Sequence, residues 1–370
     1  MKKVFALTAA VIFLWSLSPV FIKPAVRGGV APFALTAYGT ATAVVFLAAV
    51  TLVRRRIGAA AALVRHNGGL LLAMAISGWV VYPLLFYPAY LHMPASHAFL
   101  INYLHPIFTI LFGRPVAIKV MRRWFRVKKN EANEPTAPPV ASLILPVGLC
   151  FGGVAVIALS GAGGDGAGEP FATRILWSLL LAVAAASWGL YSNLRRNLRG
   201  PDGEVLSGAD DIATLWASAI AAAMLFATSL AAGNAGSAAS DGGSFADSFL
   251  RGLGGCDVAW NSPCEWVIAF FGPIELPAFV PILGSGLLVM GMGYTLWLVA
   301  LSTAAKAGAE HLVPPMIFVV PILGILWSAL LLGEPVTLAA VIGAAMIIGG
   351  NVWLRLAEEA TRRSGHGKQE

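Results

Sequence analysis

The stretch AEHLVPPMIFVVPILGILWSALLLGEPVTLAAVIGAAMIIGGNVWLRL, residues 309–356, decides the fold. Two apolar runs flank the turn Gly333-Glu334-Pro335. Each approaches the roughly 20 residues a helix needs to cross a bilayer core. The first run carries Pro314, Pro315 and Pro321, which an ordinary soluble helix would not tolerate. Within a membrane bundle, neighbouring helices can satisfy the carbonyls that proline frees. A transmembrane hairpin is expected, with Glu334 at its turn in reach of water.

An echo of this hairpin lies at ASHAFLINYLHPIFTILF, residues 95–112. Placing Pro106 on Pro321 also places Ala95 on Glu310, Ser96 on His311, Trp79 on Tyr294 and Tyr82 on Trp297. The opening run repeats as well: Trp15-Ser16-Leu17 with Lys23 matches Trp188-Gly189-Leu190 with Arg196. Three matches in the same order point to a duplicated bundle.

Composition excludes a soluble globular chain. Of 370 residues 58% are hydrophobic and only 12% charged, and mean hydropathy is +0.78. Forty glycines suit close helix packing in lipid. The net charge of +7 does not indicate nucleic acid, because the basic residues gather at the ends of apolar runs. No small-residue cleavage site follows the first run, so it is expected to be retained. Cys150 lies in an apolar run and is expected to be inert.

Ten spans are expected near 4–23, 32–53, 69–91, 95–114, 140–160, 173–194, 211–232, 278–300, 309–332 and 336–356. Arginine and lysine cluster after the even-numbered spans, as at Arg54, Arg55, Arg56, Arg65, Lys119, Arg122, Arg123 and Arg195. The opposite loops hold only Lys23, Arg27, Arg174 and Arg251. The positive-inside rule then puts both termini in the cytoplasm of a multi-pass inner (cytoplasmic) membrane protein. Five spans per half invert the second half relative to the first, a recurring plan of secondary transporters. The first repeat is 1–160, with a basic cytoplasmic insert at 119–139. The second is 173–356, with a Gly/Ser-rich external insert at 233–276, followed by a cytoplasmic tail at 357–370. In that external loop Cys256 and Cys264 are expected to form a disulfide, two free thiols being the alternative.

These residues resemble the drug/metabolite transporter superfamily, whose ten-helix members carry two copies of a five-helix domain. The resemblance rests on Trp15-Ser16 with Lys23 and Pro32, then Trp188, Pro321, Gly333-Glu334-Pro335, Gly343 and Gly349-Gly350. It runs from about 4 to 160 and from 173 to 356. Locally, Asn102-Tyr103-Leu104-x-Pro106 with Thr109-Ile110-Leu111-Phe112 is similar to the aromatic amino-acid exporters. The chain departs from the pattern in three places. Tyr38 and Gly39 stand where many members have an arginine, and Gly113-Arg114-Pro115 replaces the first Gly-Glu turn. His105 stands where those exporters have a tryptophan.

No phosphate-cradling Gly-x-x-x-x-Gly-Lys-Ser/Thr loop occurs, so direct ATP drive is not expected. Neither metal spacing nor a nucleophile triad is found, and no cofactor is expected. All eighteen acidic residues fall in loops, tails or helix ends. Small-cation exporters rely on a buried carboxylate, so neutral, zwitterionic or anionic cargo is expected. His105 is the sharpest site candidate, since intramembrane ionisable groups are costly and face cavities. A histidine satisfied by a neighbouring carbonyl is the alternative, and both stay open. Asn102, three residues earlier, is either a cargo contact or interhelical glue. His97 and His311 are read as interfacial, and Lys23 as snorkelling to the surface.

Aromatics complete the expected pocket: Trp15, Tyr82, Tyr103, Trp188, Tyr191, Tyr294 and Trp297. Singly each is ordinary packing or an interfacial anchor; as a repeat-related set they suit a midplane site. Pro106 and Pro321 are the expected helix breaks. The expected fold is an all-α membrane protein of ten transmembrane helices in two inverted five-helix repeats. Its expected activity is secondary transport of a small metabolite by alternating access, with export of amino acids preferred. Rival readings are a sugar-phosphate-like anion exchanger or uptake carrier, a non-transporting sensor, and a lipid-acting membrane enzyme. Candidate partners are the small-molecule cargo, membrane lipid, protons and a second copy of the chain; nucleic acid is not expected.

Overall fold

Long apolar runs with few charges leave the backbone one way to satisfy itself in lipid, the helix. The computed structural model describes residues 1–114, 139–160, 170–195, 197–200, 210–235, 276–307 and 313–366. Among these the chain is helical, without strands. Nine helical segments are long and apolar enough to cross a membrane: Lys2–Arg27, Pro32–Val53, Ile57–His92, Ala95–Phe112, Ala141–Leu159, Phe171–Arg195, Asp211–Thr228, Phe279–Ala304 and Leu338–Thr361. A shorter apolar helix, Ile317–Leu332, lies between the last two. They are numbered first to tenth below in chain order, the short helix being the ninth.

Several segments are longer or more broken than the sequence led us to expect. The third begins at Ile57 rather than near residue 69 and bends at Asn67, whose φ of −125° and ψ of 18° leave the helical range. The first is interrupted at Leu17, because Pro19 opens the next helix and cannot donate to the Trp15 carbonyl. The third and eighth each contain a π-helical stretch, Ala75–Val81 and Gly284–Met292. The fourth and ninth each break just before a proline. Tyr103 and Leu104 form a turn ahead of His105–Phe112, and a 3-10 turn at Ile317–Val319 precedes Val320–Leu332. Both prolines sit in the first turn of the following helix, where the missing N–H costs nothing.

Packing repeats with the halves exchanged. The first segment packs on the eighth and ninth, as the sixth packs on the third and fourth. The second packs on the eighth as the seventh does on the third, while second meets seventh and fifth meets tenth. Two glycines with the same sequence offset as Pro106 and Pro321 make this possible. A Cβ on Gly78 would stand 2.5 Å from the Tyr191 ring, and one on Gly293 would overlap the Trp15 indole. Fifth and tenth close through Gly153 and Gly343, where a Cβ on Gly153 would lie 2.8 Å from the Gly343 carbonyl oxygen. Beside them Cys150 is buried and donates to the Ile347 carbonyl at 3.4 Å.

The turn after the ninth segment differs from expectation. Gly333 adopts φ +68°, the left-handed cap that lets the chain reverse. The reversal carries Glu334 inward, not to water: it is only 7% exposed. Its Oε1 accepts from Lys23 Nζ and from Ala95 N at 2.8 Å, and its Oε2 accepts from Ser96 N at 3.2 Å. A carboxylate on the N-terminal N–H groups of the fourth segment is favoured by orphan donors and the helix dipole. Lys23 therefore does not snorkel; it is buried against this carboxylate. His97 is likewise buried rather than interfacial, with Nε2 3.3 Å from Thr337 Oγ1.

At the far end of the bundle Arg54 and Arg56 contact Asp211 at 3.2 and 2.8 Å, joining second and seventh segments. Asn67, at the bend, donates to the Arg199 carbonyl at 2.8 Å and accepts from Arg199 N at 2.9 Å. The inserts expected at 119–139 and 233–276 fall almost wholly outside the described residues. Cys256, Cys264, Glu310, His311 and Arg196 lie there too.

Candidate functional site

The broken fourth segment sets one wall of a central cavity. Pro106 cannot donate to the Asn102 carbonyl four residues earlier. His105 fills that vacancy, its Nδ1 lying 3.1 Å from Asn102 O. A carbonyl only accepts, so Nδ1 carries the hydrogen, and Nε2 remains as the ring's other polar atom. The neighbouring Tyr103 carbonyl accepts from Asn351 of the tenth segment at 2.9 Å. The break is thus satisfied by side chains, as irregular backbone at membrane depth must be.

Asn102 is 7% exposed. Its Oδ1 is buried without a hydrogen-bond partner. Phe99 and Tyr103 flank it, their rings 5.4 Å apart.

The opposite wall is aromatic and comes from both halves. Tyr82 meets Trp188 at 5.0 Å, Trp188 meets Tyr294 at 5.4 Å, and Tyr294 meets Trp15 at 5.6 Å between ring centroids. The π-helical stretches hold this wall in place. Trp15 Nε1 donates to the Val289 carbonyl at 3.2 Å, and Ser187 of the sixth segment donates to the Ser77 carbonyl. A π turn offsets carbonyls from their usual partners, so they are open to such bonds. Together the walls enclose about 660 Å³ of space between atoms, the open mouth included.

Of the nine residues read from sequence as a cargo path, seven line this cavity: Trp15, Tyr82, Asn102, Tyr103, His105, Trp188 and Tyr294. Tyr191 and Trp297 stand behind the wall. Tyr191 packs on Trp188 at 4.9 Å, and Trp297 packs on Trp15 at 5.6 Å. Tyr191 is 3% exposed, and its hydroxyl lies 3.4 Å from Thr214 Oγ1. Ser18, Phe86, Tyr87, Phe99, Val289, Met290 and Ile317 also line the space and were missed. Helical spacing could have found four of them. Ser18 follows Trp15 by three, Phe86 follows Tyr82 by four, Phe99 precedes Asn102 by three, and Met290 precedes Tyr294 by four.

Among the described residues no Asp, Glu, Lys or Arg side chain lines the cavity. Among the described residues no three His, Cys, Asp or Glu side chains come together as a metal site would require.

Residues 2–118 match the EamA-like transporter family. This is a family of membrane transporters of small solutes within the drug/metabolite transporter superfamily, and the match spans the first four segments. A solved crystal structure is similar over 98% of this chain and 99% of its own, with a TM-score of 0.53 at 18% identity. At that identity the likeness is one of fold. No curated protein matches the chain. With its many apolar helices, it is a multi-pass membrane protein.

Proposed function

We propose that this protein is a secondary transporter that exports amino acids or similar small metabolites by alternating access. The observation that carries the reading is the central cavity itself. Both halves line it, it is walled by aromatics, and it is bounded by the fourth and ninth segments, which break before matching prolines. Residues 1–160 and 173–356 are its two repeats, inverted in the membrane. Two similar packings of such a pair can exchange, exposing the cavity to either side in turn. Both termini are placed in the cytoplasm of the inner membrane, and export is read from the local similarity to amino-acid exporters. Protons are the proposed coupling ion, and a second copy of the chain the proposed oligomeric partner. The uncharged lining disfavours a sugar-phosphate cargo, whose charge would be desolvated without a counter-ion.

Purified full-length protein in liposomes, assayed by counterflow against a panel of amino acids, amines, organic acids and sugar phosphates, tests this. Accumulation of at least one amino acid above protein-free liposomes is expected. Folded protein that moves no panel member, or moves only sugar phosphates, would sink the reading.

A further inference from the structure

Three segments break at the depth of the cavity, and each break lies among residues that line it. Leu17 falls between Trp15 and Ser18, the Tyr103–Leu104 turn lies between Asn102 and His105, and the 3-10 turn of the ninth segment begins at Ile317. Beyond the breaks run three half-helices, Ser18–Arg27, Ala95–Asn102 and Val320–Leu332. They pack on one another, so closely that a Cβ on Gly324 would overlap the Phe99 ring. All three are tied at one carboxylate. Glu334 follows the last of them, accepts from Lys23 of the first, and caps the start of the second through Ala95 N and Ser96 N. Trp327 adds a tie across the first break, donating to Ser16 Oγ at 2.9 Å. Between this knot and the cavity lies Tyr90, 0% exposed, its ring 5.2 Å from that of Phe86 and in electrostatic range of both Glu334 and Tyr82. Its hydroxyl has no hydrogen-bond partner. A hydroxyl buried in that state costs free energy that water would return on opening.

We infer that these half-helices are the gate through which cargo leaves the cavity, that Glu334 is its latch, and that the described conformation is closed at this end. Short breaks absorb the φ and ψ changes of a hinge, so each half-helix can tilt while the rest of its segment stays packed. The three are coupled, because tilting any one of them strips Glu334 of a donor or moves Glu334 itself. Opening exchanges the Lys23 and backbone donors for water, and it wets Tyr90. The opposite end is built differently. There Asp211 joins the second and seventh segments, Pro32–Val53 and Asp210–Ala235, which run as single helices. This deepens the proposed function and rests on it in placing cargo in the cavity and the latch on the extracytoplasmic side.

The test reads accessibility rather than flux. The full-length chain, with Cys150→Ala, Cys256→Ser and Cys264→Ser, receives Ser18→Cys as a reporter on the cavity side of the gate. A membrane-impermeant maleimide is applied to intact cells, and the rate of labelling is measured. Glu334→Gln leaves Lys23 without its carboxylate and should speed labelling by about tenfold or more, the worth of a charge-assisted hydrogen bond. Trp327→Phe removes only a neutral hydrogen bond and should speed it about fivefold. It carries the test if thermal melting shows Glu334→Gln to be unfolded. Glu334→Gln combined with Lys23→Met leaves no buried charge seeking water, so labelling should fall back toward the parent rate. A second reporter, Ser218→Cys, is placed at a position 0% exposed in the seventh segment and should label no faster in any variant. Ser18→Cys labelling at the parent rate in both single variants would overturn the inference. So would a matching rise at Ser218→Cys, which would mean general loosening, or a rise seen only from the cytoplasmic face of inverted vesicles. A gate that opens as expected in a protein that moves no cargo would sink the proposed function alone.

Discussion

At one end of the bundle Lys23 meets Glu334 with side chains 3% and 4% exposed. At the other, Arg54 and Arg56 share Asp211 with side chains 42% and 32% exposed. Both sites join segments distant in sequence, and both look like salt bridges. Their surroundings make them different. The buried pair lacks water to take over if one partner leaves, and its carboxylate also holds the first turn of the fourth segment. The half-exposed arginines can exchange Asp211 for solvent at little cost. The buried site therefore locks the end above the cavity through the first, fourth and ninth segments, while the other end is held by softer, solvent-shared contacts and by Asn67. An opening of the cavity at either end would have to break these different attachments.

The largest effect should follow Lys23→Met. Removing one partner of a buried pair leaves an uncompensated charge, which costs about 3–5 kcal/mol. The N–H groups of Ala95 and Ser96 remain on Glu334, which favours the lower part of that range. The double variant Lys23→Met with Glu334→Gln should recover part of the loss, because no buried charge is then left. Thermal or denaturant melting of the four proteins in detergent gives the coupling. A Lys23→Met protein as stable as the parent would remove the contrast at its stronger side.

Asn67→Leu should come second. It deletes two hydrogen bonds to the Arg199 backbone at 2.8 and 2.9 Å and leaves that N–H and C=O to find water. About 1–3 kcal/mol is expected, and less if solvent reaches the bend. Amide hydrogen exchange at residues 197–200 should rise in step. Unchanged exchange there would mean that Asn67 fixes only the bend of its own segment, where its Nδ2 also reaches the Leu63 carbonyl.

How much of this was legible in the sequence varies by residue. The helical membrane architecture could be read from hydropathy, and the two helix breaks from Pro106 and Pro321. Hydropathy does not report pairing. Lys23 and Glu334 are 311 positions apart, and each alone fits the profile of a charge at a span end, so snorkelling was the natural expectation. Only the left-handed turn at Gly333 shows that the carboxylate folds inward. The π-helical stretches were also hidden, since glycines at Gly78 and Gly293 read equally well as ordinary close packing. Within the cavity, repeated aromatics and a polar pair beside a proline gave most of the wall. Tyr191 and Trp297 share the repeat but sit one layer back. Val289 and Ile317 carried no signal, being apolar residues in apolar runs. The fate of Nδ1 on His105 needed geometry: both of its readings prove compatible, one nitrogen satisfying a carbonyl while the ring still lines the cavity.

The smallest effect should belong to Arg54→Gln, and its smallness is the useful part. Arg54 reaches Asp211 Oδ2 at 3.2 Å, while Arg56 holds both carboxylate oxygens at 2.8 and 3.0 Å. Losing Arg54 thus leaves Asp211 paired, and the arginine side chain was already 42% exposed. A cost of about 0.5 kcal/mol or less is expected, as for other exposed pairs. That cost should also respond to salt. Raising ionic strength from about 0.01 M to about 1 M shortens the Debye length from about 30 Å to about 3 Å, so the parent should lose its small advantage over Arg54→Gln. The Lys23→Met difference should hardly move over the same range, because ions do not enter the buried site. Melting temperatures for the three proteins at both salt concentrations make the comparison. A salt-insensitive loss at Arg54 as large as that at Lys23 would show that the two ends are held alike.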